Sequence, residues 1–246
     1  MFVRAASSAF KKLDYLRAQE HHSVVANSQF VADRISRCWN THADVIYPPV
    51  DVKTIGGVSD WTVKVYGEEA AVFDHLPPDF VLGASRFVSY KGLDVVIRAG
   101  ELVNLPVVIA GSGEDESRLR ERAAASSVPV TFIISPSDSL LYALYQRCSV
   151  FVFPPVEDFG IMPVEAMAAG APVVANRIGG TSESVTNGSS GYLADMADEA
   201  DIRRSVEGAM GLDRRSIAES ATKFSTETFR VKVGEWLPPS AHDGRG

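Results

Sequence analysis

The chain has little that would cross-link it or anchor it in a membrane. Only two of its 246 residues are cysteines, Cys38 and Cys148, and they lie far apart without metal-ligand spacing. This usage is typical of reduced, structural thiols in a reducing compartment. No stretch approaches the ~18 consecutive apolar residues of a membrane span, and the N-terminus has no apolar signal core. We therefore expect a cytoplasmic protein.

The chain also lacks a surplus of positive charge, because its formal net charge is -7. A nucleic-acid binder normally carries a basic face, so we expect no nucleic-acid partner and look for phosphate recognition at a few individual Lys and Arg side chains. Residues 1–19 place apolar and basic side chains at loose helical spacing, which predicts one or two amphipathic helices. Two interpretations of their basic face stay open: an ordinary solvated surface, or peripheral contact with anionic lipid at the inner face of the membrane.

What the chain does contain is a regular alternation of short apolar runs with helical patterns, in a sequence that is 46% apolar. The predicted strands are 80–84, 107–110, 130–134, 150–153, 173–175 and 191–193, and the predicted helices between them are 93–102, 116–125, 137–147, 163–169 and 182–185. This pattern is typical of a parallel sheet covered by helices on both faces. The sequence therefore predicts an α/β fold with a doubly wound, Rossmann-like sheet.

The pattern also suggests a division of the chain. Residues 1–50 contain only two predicted strands with their helices, too little for a core of their own, and are interpreted as the remnant of a further domain. Residues 51–78 lose periodicity and collect glycine and proline, as a linker does. Residues 79–222 form the predicted Rossmann-like, nucleotide-binding domain. Residues 223–246 form a last helix and a tail that we expect to fray from Pro238.

Ligands of open α/β sheets bind at the carboxyl ends of the strands. After the first strand of the large domain, Ser85 and Arg86 precede Lys91, which lies beside the start of a helix. Two cations next to helix amides are suited to a diphosphate, since Arg86 chelates oxygens through its planar fork and Lys91 supplies a point charge. Two unrelated surface charges are the alternative.

The next two loops carry weaker signals. Gly111 and Gly113 allow a close backbone approach after the second strand but do not complete a dinucleotide fingerprint. Pro136, after the third strand, belongs most simply to a helix start, while a base lying against the same backbone is the second interpretation.

The loop after the fourth strand is the most informative. Pro163 suits the first turn of a helix and places Glu165 in that turn, while Glu157 precedes the helix on the loop. A carboxylate at Glu157 can accept hydrogen bonds from sugar hydroxyls, and one at Glu165 can accept both hydroxyls of a ribose. A solvated loop charge at Glu157 and a capping glutamate at Glu165 remain equally open on spacing alone.

A family resemblance favours the first interpretation. Residues 157–165, EDFGIMPVE, carry two glutamates separated by seven residues, and further blocks follow a known order and spacing: ANSQFVADRI, VIYPPVDV, SRFVSYKGLDVVIRA, IAGSG, EAMAAGAPVVA and GGTSESVTNGSSGYL. From about Ser23 to Leu193 the chain resembles the GT-B glycosyltransferases of family 4, also called group 1, which act with retention. It is most similar to their mannosyltransferase-like members.

The resemblance implies transfer of a hexose from a nucleoside diphosphate sugar to a glycan or lipid-linked acceptor, without a cofactor or bound metal. It implies that Arg86 and Lys91 hold the diphosphate and stabilise its charge as it leaves. Glu157 would contact the donor sugar, and Glu165 the ribose. The remaining implied donor-binding residues are Ser85, Gly111, Gly113, Pro136, Asp158, Phe159, Gly160 and Ile161. GDP-mannose is the expected donor.

The chain departs from the family pattern in two ways. Ile134 stands where relatives usually have glycine, and Pro155 where they usually have serine. The family also has an N-terminal Rossmann domain with the acceptor site and often a catalytic histidine, for which His21, His22 and His42 are not placed to substitute.

Only the last fifty or so residues of that N-terminal domain are recognised in this chain. The last helix would normally cross back onto it, so we expect an exposed half that can pair with another chain. A non-catalytic module that binds a nucleotide sugar and needs a partner chain for the other half is therefore an alternative function. A sugar-nucleotide epimerase of the same architecture is a third.

Overall fold

The computed structural model describes residues 2–20 and 23–237. His21, His22 and the tail for which fraying was predicted lie outside the described residues. The chain begins with one helix, α1 (Phe2–Ala18), followed by β1 (Val25–Ala26), α2 (Gln29–Trp39) and β2 (Asp44–Val45). The two strands pair in parallel, with Val25 opposite Asp44. We call residues 23–50 the N-terminal piece.

Helix α2 has a defined cap at each end. Ser28 is its N-cap and accepts a hydrogen bond from the backbone N–H of Val31 at 3.1 Å. Asn40 ends the helix in the left-handed conformation, with φ 50°, which asparagine tolerates better than most residues. Of the helix side chains, Ala32 is buried and packs with Ala26 and Ala43 in a small separate core.

The segment 51–78, predicted to be a linker, contains three short helical elements. These are α3 (Val52–Gly56), a 3-10 helix (Trp61–Lys64) and α4 (Gly67–Asp74). Trp61 is buried and donates its indole N–H to the carbonyl of Ile55 at 3.0 Å. Phe73 is buried in the same large core. The apolar side chains of this segment are irregularly spaced, so their burial has no periodic signature in the sequence.

The main body is a six-stranded sheet in the order β5-β4-β3-β6-β7-β8. Its strands are β3 (Val81–Ala84), β4 (Val107–Gly111), β5 (Val130–Ile134), β6 (Val150–Phe153), β7 (Val173–Asn176) and β8 (Gly191–Ala194). All five strand pairs are parallel. Each predicted strand agrees with the observed one to within one residue at either end, and the predicted Rossmann-like sheet is confirmed.

Helices cover both faces of this sheet. They are α5 (Leu93–Val103), α6 (Glu116–Ala124), α7 (Asp138–Arg147), α8 (Ile161–Ala168), α9 (Glu199–Met210), α10 (Arg214–Ser220) and α11 (Thr226–Trp236). The helix predicted at 182–185 is replaced by a 3-10 turn at Gly180–Glu183, and α10 is continued by a 3-10 turn at Ala221–Phe224. None of the helices within residues 2–20 and 23–237 has the length and apolar content that crossing a bilayer requires.

The central strands are buried on both faces, which explains their continuous apolar sequence. Alternate residues enter two separate cores: Leu82 and Phe151 pack on one side of the sheet, and Val81 and Val150 on the other. This is the two-residue period of a β-strand. The two layers hold the carboxyl ends of β3 to β7 in fixed positions.

Helix α11 returns to the N-terminal piece. The indole N–H of Trp236 donates to Asp44 at 3.1 Å, and the backbone N–H of Val50 donates to the carbonyl of Phe224 at 2.9 Å. The first contact connects the end of α11 to β2, and the second connects the 3-10 turn before α11 to the chain after β2.

Candidate functional site

An open cleft of about 340 Å³ lies at the carboxyl ends of the central strands. Its walls combine two parts of the chain. Asn27 and Pro48 come from the N-terminal piece, and Lys91 follows β3. The remaining walls are Phe153, at the end of β6, and residues 157–162. We call residues 157–161 the donor loop, after the role that the family resemblance predicts for it.

The loop after β3 presents the two predicted cations differently. Arg86 is exposed at the rim, and its guanidinium donates to the hydroxyl of Tyr90 at 3.1 Å. Lys91 ends a short 3-10 helix just before Gly92, whose φ of 64° allows the chain to turn into α5. Lys91 therefore lines the cleft, whereas Arg86 is exposed and is not one of the residues that line it.

Lys91 and Glu157 form an ion pair inside the cleft, through the ammonium Nζ and the carboxylate Oε1. The Lys91 side chain is only 12% exposed and that of Glu157 26%. Such a pair is screened less than a surface pair. The structure thus brings together two of the predicted site residues that lie 66 positions apart in the sequence.

The two glycines after β4 have a packing reason. Gly111 and Gly113 adopt positive φ values of 138° and 155°. A Cβ atom at Gly111 would collide with the carbonyl oxygen of Ser85, and one at Gly113 with that of Phe87. These glycines let the loop after β4 lie directly against the loop that carries Arg86.

The loop after β5 is joined to its neighbours by polar contacts. Ser135 adopts a positive φ of 49°, and its hydroxyl donates to that of Ser112 at 3.0 Å. Pro136 is half-buried beside it. Glu69 of α4 accepts hydrogen bonds from the backbone N–H and the hydroxyl of Ser137, at 2.7 and 2.5 Å. A carboxylate from the supposed linker therefore stabilises the start of α7.

The donor loop turns sharply into α8. Gly160 is the N-cap, with a φ of 92°, and a Cβ atom there would collide with the hydroxyl of Thr181. That hydroxyl is buried and has no hydrogen-bond partner among the described residues. Phe159 is buried, whereas Ile161 is 47% exposed at the cleft. The predicted trio of Phe159, Gly160 and Ile161 thus lines the cleft at a helix N-terminus.

Glu165 differs in position from the prediction. Because α8 begins at Ile161, Pro163 is its third residue and Glu165 its fifth, at the start of the second turn. Glu165 is therefore not in the first turn, where a capping glutamate would lie, and its carboxylate makes no hydrogen bond within residues 2–20 and 23–237.

The surroundings of Glu165 disfavour its charge. Burial and, to a lesser extent, the negative charge of Asp138 raise the pKa of Glu165. Burial and the charge of Glu165 in turn raise the pKa of Tyr142 to about 12. A partly buried carboxylate without a partner among the described residues is suited to accept hydrogen bonds from a ligand.

Asp158, the remaining predicted donor-binding residue, has its carboxylate on Arg34 of α2. The guanidinium donates two hydrogen bonds, at 3.0 and 3.2 Å. Sequence reasoning did not single out Arg34, nor Glu183, whose carboxylate accepts from the backbone N–H groups at the start of α2. Both belong to blocks that carry the family resemblance, ANSQFVADRI and GGTSE. The sequence of a block does not show which residues elsewhere in the chain its side chains will contact.

Comparison with known proteins agrees with this architecture. Residues 69–226 match the family described as Glycosyl transferases group 1. The D-inositol 3-phosphate glycosyltransferase of Mycolicibacterium smegmatis is 30% identical over 84% of this chain and 50% of its own length. The serotype-specific mannosyltransferase WbdA of Escherichia coli is 31% identical over 65% of this chain and 23% of its own.

Among solved structures, HepE of Anabaena, in complex with UDP and glucose, has the same fold, with a TM-score of 0.76 at 20% identity. The match covers 92% of this chain and 66% of HepE. The chain spans about half the length of the curated relatives it matches. With the family match over residues 69–226 and the parallel sheet that positions the cleft, the chain belongs to the group 1 glycosyltransferases of the GT-B fold.

Proposed function

We propose that this chain carries the donor site of a retaining glycosyltransferase, which transfers a hexose from a nucleoside diphosphate sugar to a glycan or lipid-linked acceptor. The observation that carries the proposal is the Lys91–Glu157 pair in the cleft, beside the N-terminus of α8. A cation and a carboxylate side by side match the two unlike parts of such a donor. The diphosphate needs positive charge, and the sugar hydroxyls need an acceptor.

The cations of the loop after β3 are proposed to receive the leaving diphosphate. Lys91 already lies in the cleft, and we propose that Arg86 turns away from Tyr90 to join it on the diphosphate. Charge develops on the phosphate oxygens as the glycosidic bond breaks, and fixed cations stabilise that charge without a divalent metal. We therefore propose that donor binding is unaffected by a chelator.

The donor loop is proposed to hold the sugar. Glu157 accepts from sugar hydroxyls once the diphosphate has taken its place beside Lys91, and the amides at Phe159 to Ile161 add donors at the helix N-terminus. Glu165 is proposed to accept the ribose hydroxyls, because its partly buried carboxylate otherwise lacks a partner among the described residues. The base is proposed to lie near Pro136.

Mannose and GDP are the first candidates for sugar and nucleotide. The mannosyltransferase WbdA is among the relatives, whereas HepE was solved with UDP and glucose, so both donor types belong in the test. We also keep the non-catalytic, nucleotide-sugar-binding module as a second candidate, because the chain spans about half the length of its curated relatives. Such a module would bind a donor but transfer no sugar without its partner chain.

A thermal-shift titration tests the proposal with GDP-mannose, UDP-glucose and ADP-glucose. A donor at a hundred times its Kd stabilises the folded state by about 2.7 kcal/mol, which corresponds to roughly 5–10 °C in Tm for a chain of this size. We expect one donor to give this shift, with and without EDTA, and Glu157→Ala and Arg86→Ala to reduce it. If no donor raises the Tm of the unaltered chain, the proposal is wrong.

Activity separates the two candidate functions. Release of free nucleoside diphosphate from the donor, with or without added acceptor, would support the transferase. Donor binding with no turnover would support the binding module, and turnover restored by a separately produced N-terminal half of a relative would identify the partner it needs.

A further inference from the structure

The donor loop contacts the N-terminal piece through two of its residues. Arg34 of α2 forms a bidentate ion pair with Asp158, the residue between Glu157 and Phe159. Tyr47 stacks on Phe159 with ring centroids 5.6 Å apart. The N-terminal piece therefore contacts the two loop residues that follow Glu157 directly.

A second loop connects the same two parts. Residues 179–183, which follow β7, contact the donor loop on one side, where the backbone N–H of Gly180 donates to the carbonyl of Glu157 at 2.7 Å. On the other side, Glu183 accepts from the backbone N–H groups of Gln29 and Phe30 at 2.7 and 2.9 Å. A carboxylate at a helix N-terminus is favoured by the helix dipole and satisfies N–H groups that have no partner within the helix.

We propose that Arg34 and Glu183 are positioning residues, which hold the donor loop against α2 in the arrangement that binds the nucleotide sugar. This inference rests on the proposed function for its consequence, although the contacts themselves do not. In this proposal, the carboxylate of Asp158 binds Arg34 and does not contact the donor. Helix α2 then supports the donor site through the loop, although Arg34 itself does not line the cleft.

The geometry explains why loss of these contacts would affect binding more than folding. Arg34 and Asp158 are about half exposed, so their pair contributes little to global stability. The donor loop, in contrast, is only five residues long, and Asp158 lies next to the carboxylate that pairs with Lys91. If Asp158 is released from Arg34, Glu157 and the amide groups of the loop can adopt more than one orientation. Only one of these orientations binds the donor, so the apparent donor affinity falls.

Two measurements test the proposal on the full chain. Hydrogen exchange without ligand reports the order of the peptide that contains residues 156–162, and calorimetric titration with GDP-mannose and UDP-glucose reports donor affinity. The variants are Arg34→Ala, Arg34→Lys and Glu183→Gln. Arg37→Ala is the matched control. Arg37 is an exposed arginine on the same helix, and its side chain donates to the carbonyl of Asp33 within that helix.

We expect Arg34→Ala to accelerate exchange in 156–162, to leave exchange in the strands unchanged, and to raise the donor Kd about two- to fivefold. Arg34→Lys should lie between it and the unaltered chain, since lysine keeps the charge but loses the fork. Glu183→Gln should act in the same direction, and Arg37→Ala should change neither measurement. Joining Arg34→Glu with Asp158→Arg should recover part of the protection.

Unchanged exchange in 156–162 for both Arg34→Ala and Glu183→Gln would overturn the proposal. So would equal acceleration throughout the chain, because that result would indicate a purely structural role. If the unaltered chain binds neither donor, the proposed function fails, while the exchange data still decide whether Arg34 and Glu183 hold the loop.

Discussion

Replacement of Glu157 by glutamine should have opposite effects on two ligands of the same cleft. Lys91 pairs with Glu157, and its side chain is largely buried, so an incoming diphosphate has to compete with the carboxylate for the ammonium group. Glu157→Gln removes that competitor and its repulsion of the phosphates. We therefore expect a nucleoside diphosphate without sugar to bind more tightly to the variant.

The size of both effects follows from the partial burial of the pair. An exposed pair contributes at most about 1 kcal/mol and a fully buried one several times more, so we take about 1 kcal/mol here, or a roughly fivefold gain for the diphosphate. A nucleotide sugar gains the same amount but loses hydrogen bonds to a charged acceptor, which cost about 1.5–3 kcal/mol. The net result is a loss of roughly two- to thirtyfold in affinity.

Calorimetric titration measures both effects on one preparation, with UDP, GDP, UDP-glucose and GDP-mannose as ligands. Lys91→Met should weaken all of them, because it removes the cation itself. Glu227→Gln, on α11, is the control for loss of one exposed negative charge. Equal weakening of the diphosphate and the nucleotide sugar by Glu157→Gln would refute the reasoning, since Glu157 would then not compete for Lys91.

Three further predictions concern stability and reactivity. Glu165→Gln should raise the Tm near pH 7 by a few degrees, because burial raises the pKa of Glu165 and the folded state disfavours its charge. This gain in Tm should vanish at low pH, where Glu165 is neutral in both the folded and the unfolded state. The same substitution should lower donor affinity. Glu101→Gln should lower the free energy of unfolding by about 1–3 kcal/mol at pH 7, since hydrogen bonds from Arg122 lower the pKa of Glu101 to about 2. Thermal scans should show the difference in stability between the two chains disappearing as the pH falls from the ordinary carboxyl range towards 2. A thiol reagent should label Cys38 in the folded chain and Cys148 only after denaturation, because Cys148 is buried and its pKa is raised to about 12; labelling of both in the folded chain would contradict its burial.

The sequence predicted the sheet well because each strand appears in it as a short run of apolar residues. A strand buried on both faces needs about four consecutive apolar residues, and β6 and β4 show such runs directly in VFVF and VVIA. The segment 51–78 shows the opposite case. Its buried side chains, such as Trp61 and Phe73, come from short helices and turns whose apolar positions follow no period, so only packing reveals them.

The sequence by itself determined the strands, the loops at their carboxyl ends and the place of Glu157 on one of these loops, since local periodicity and motif spacing suffice for these. Only the tertiary structure decided which side chains meet. Lys91 reaches Glu157 across 66 residues, and Arg34 reaches Asp158 across 124. Those contacts depend on strand order and on the way α2 packs against two loops. Neither is recorded in any short stretch of the chain, because a residue's own neighbours in sequence do not specify its neighbours in space.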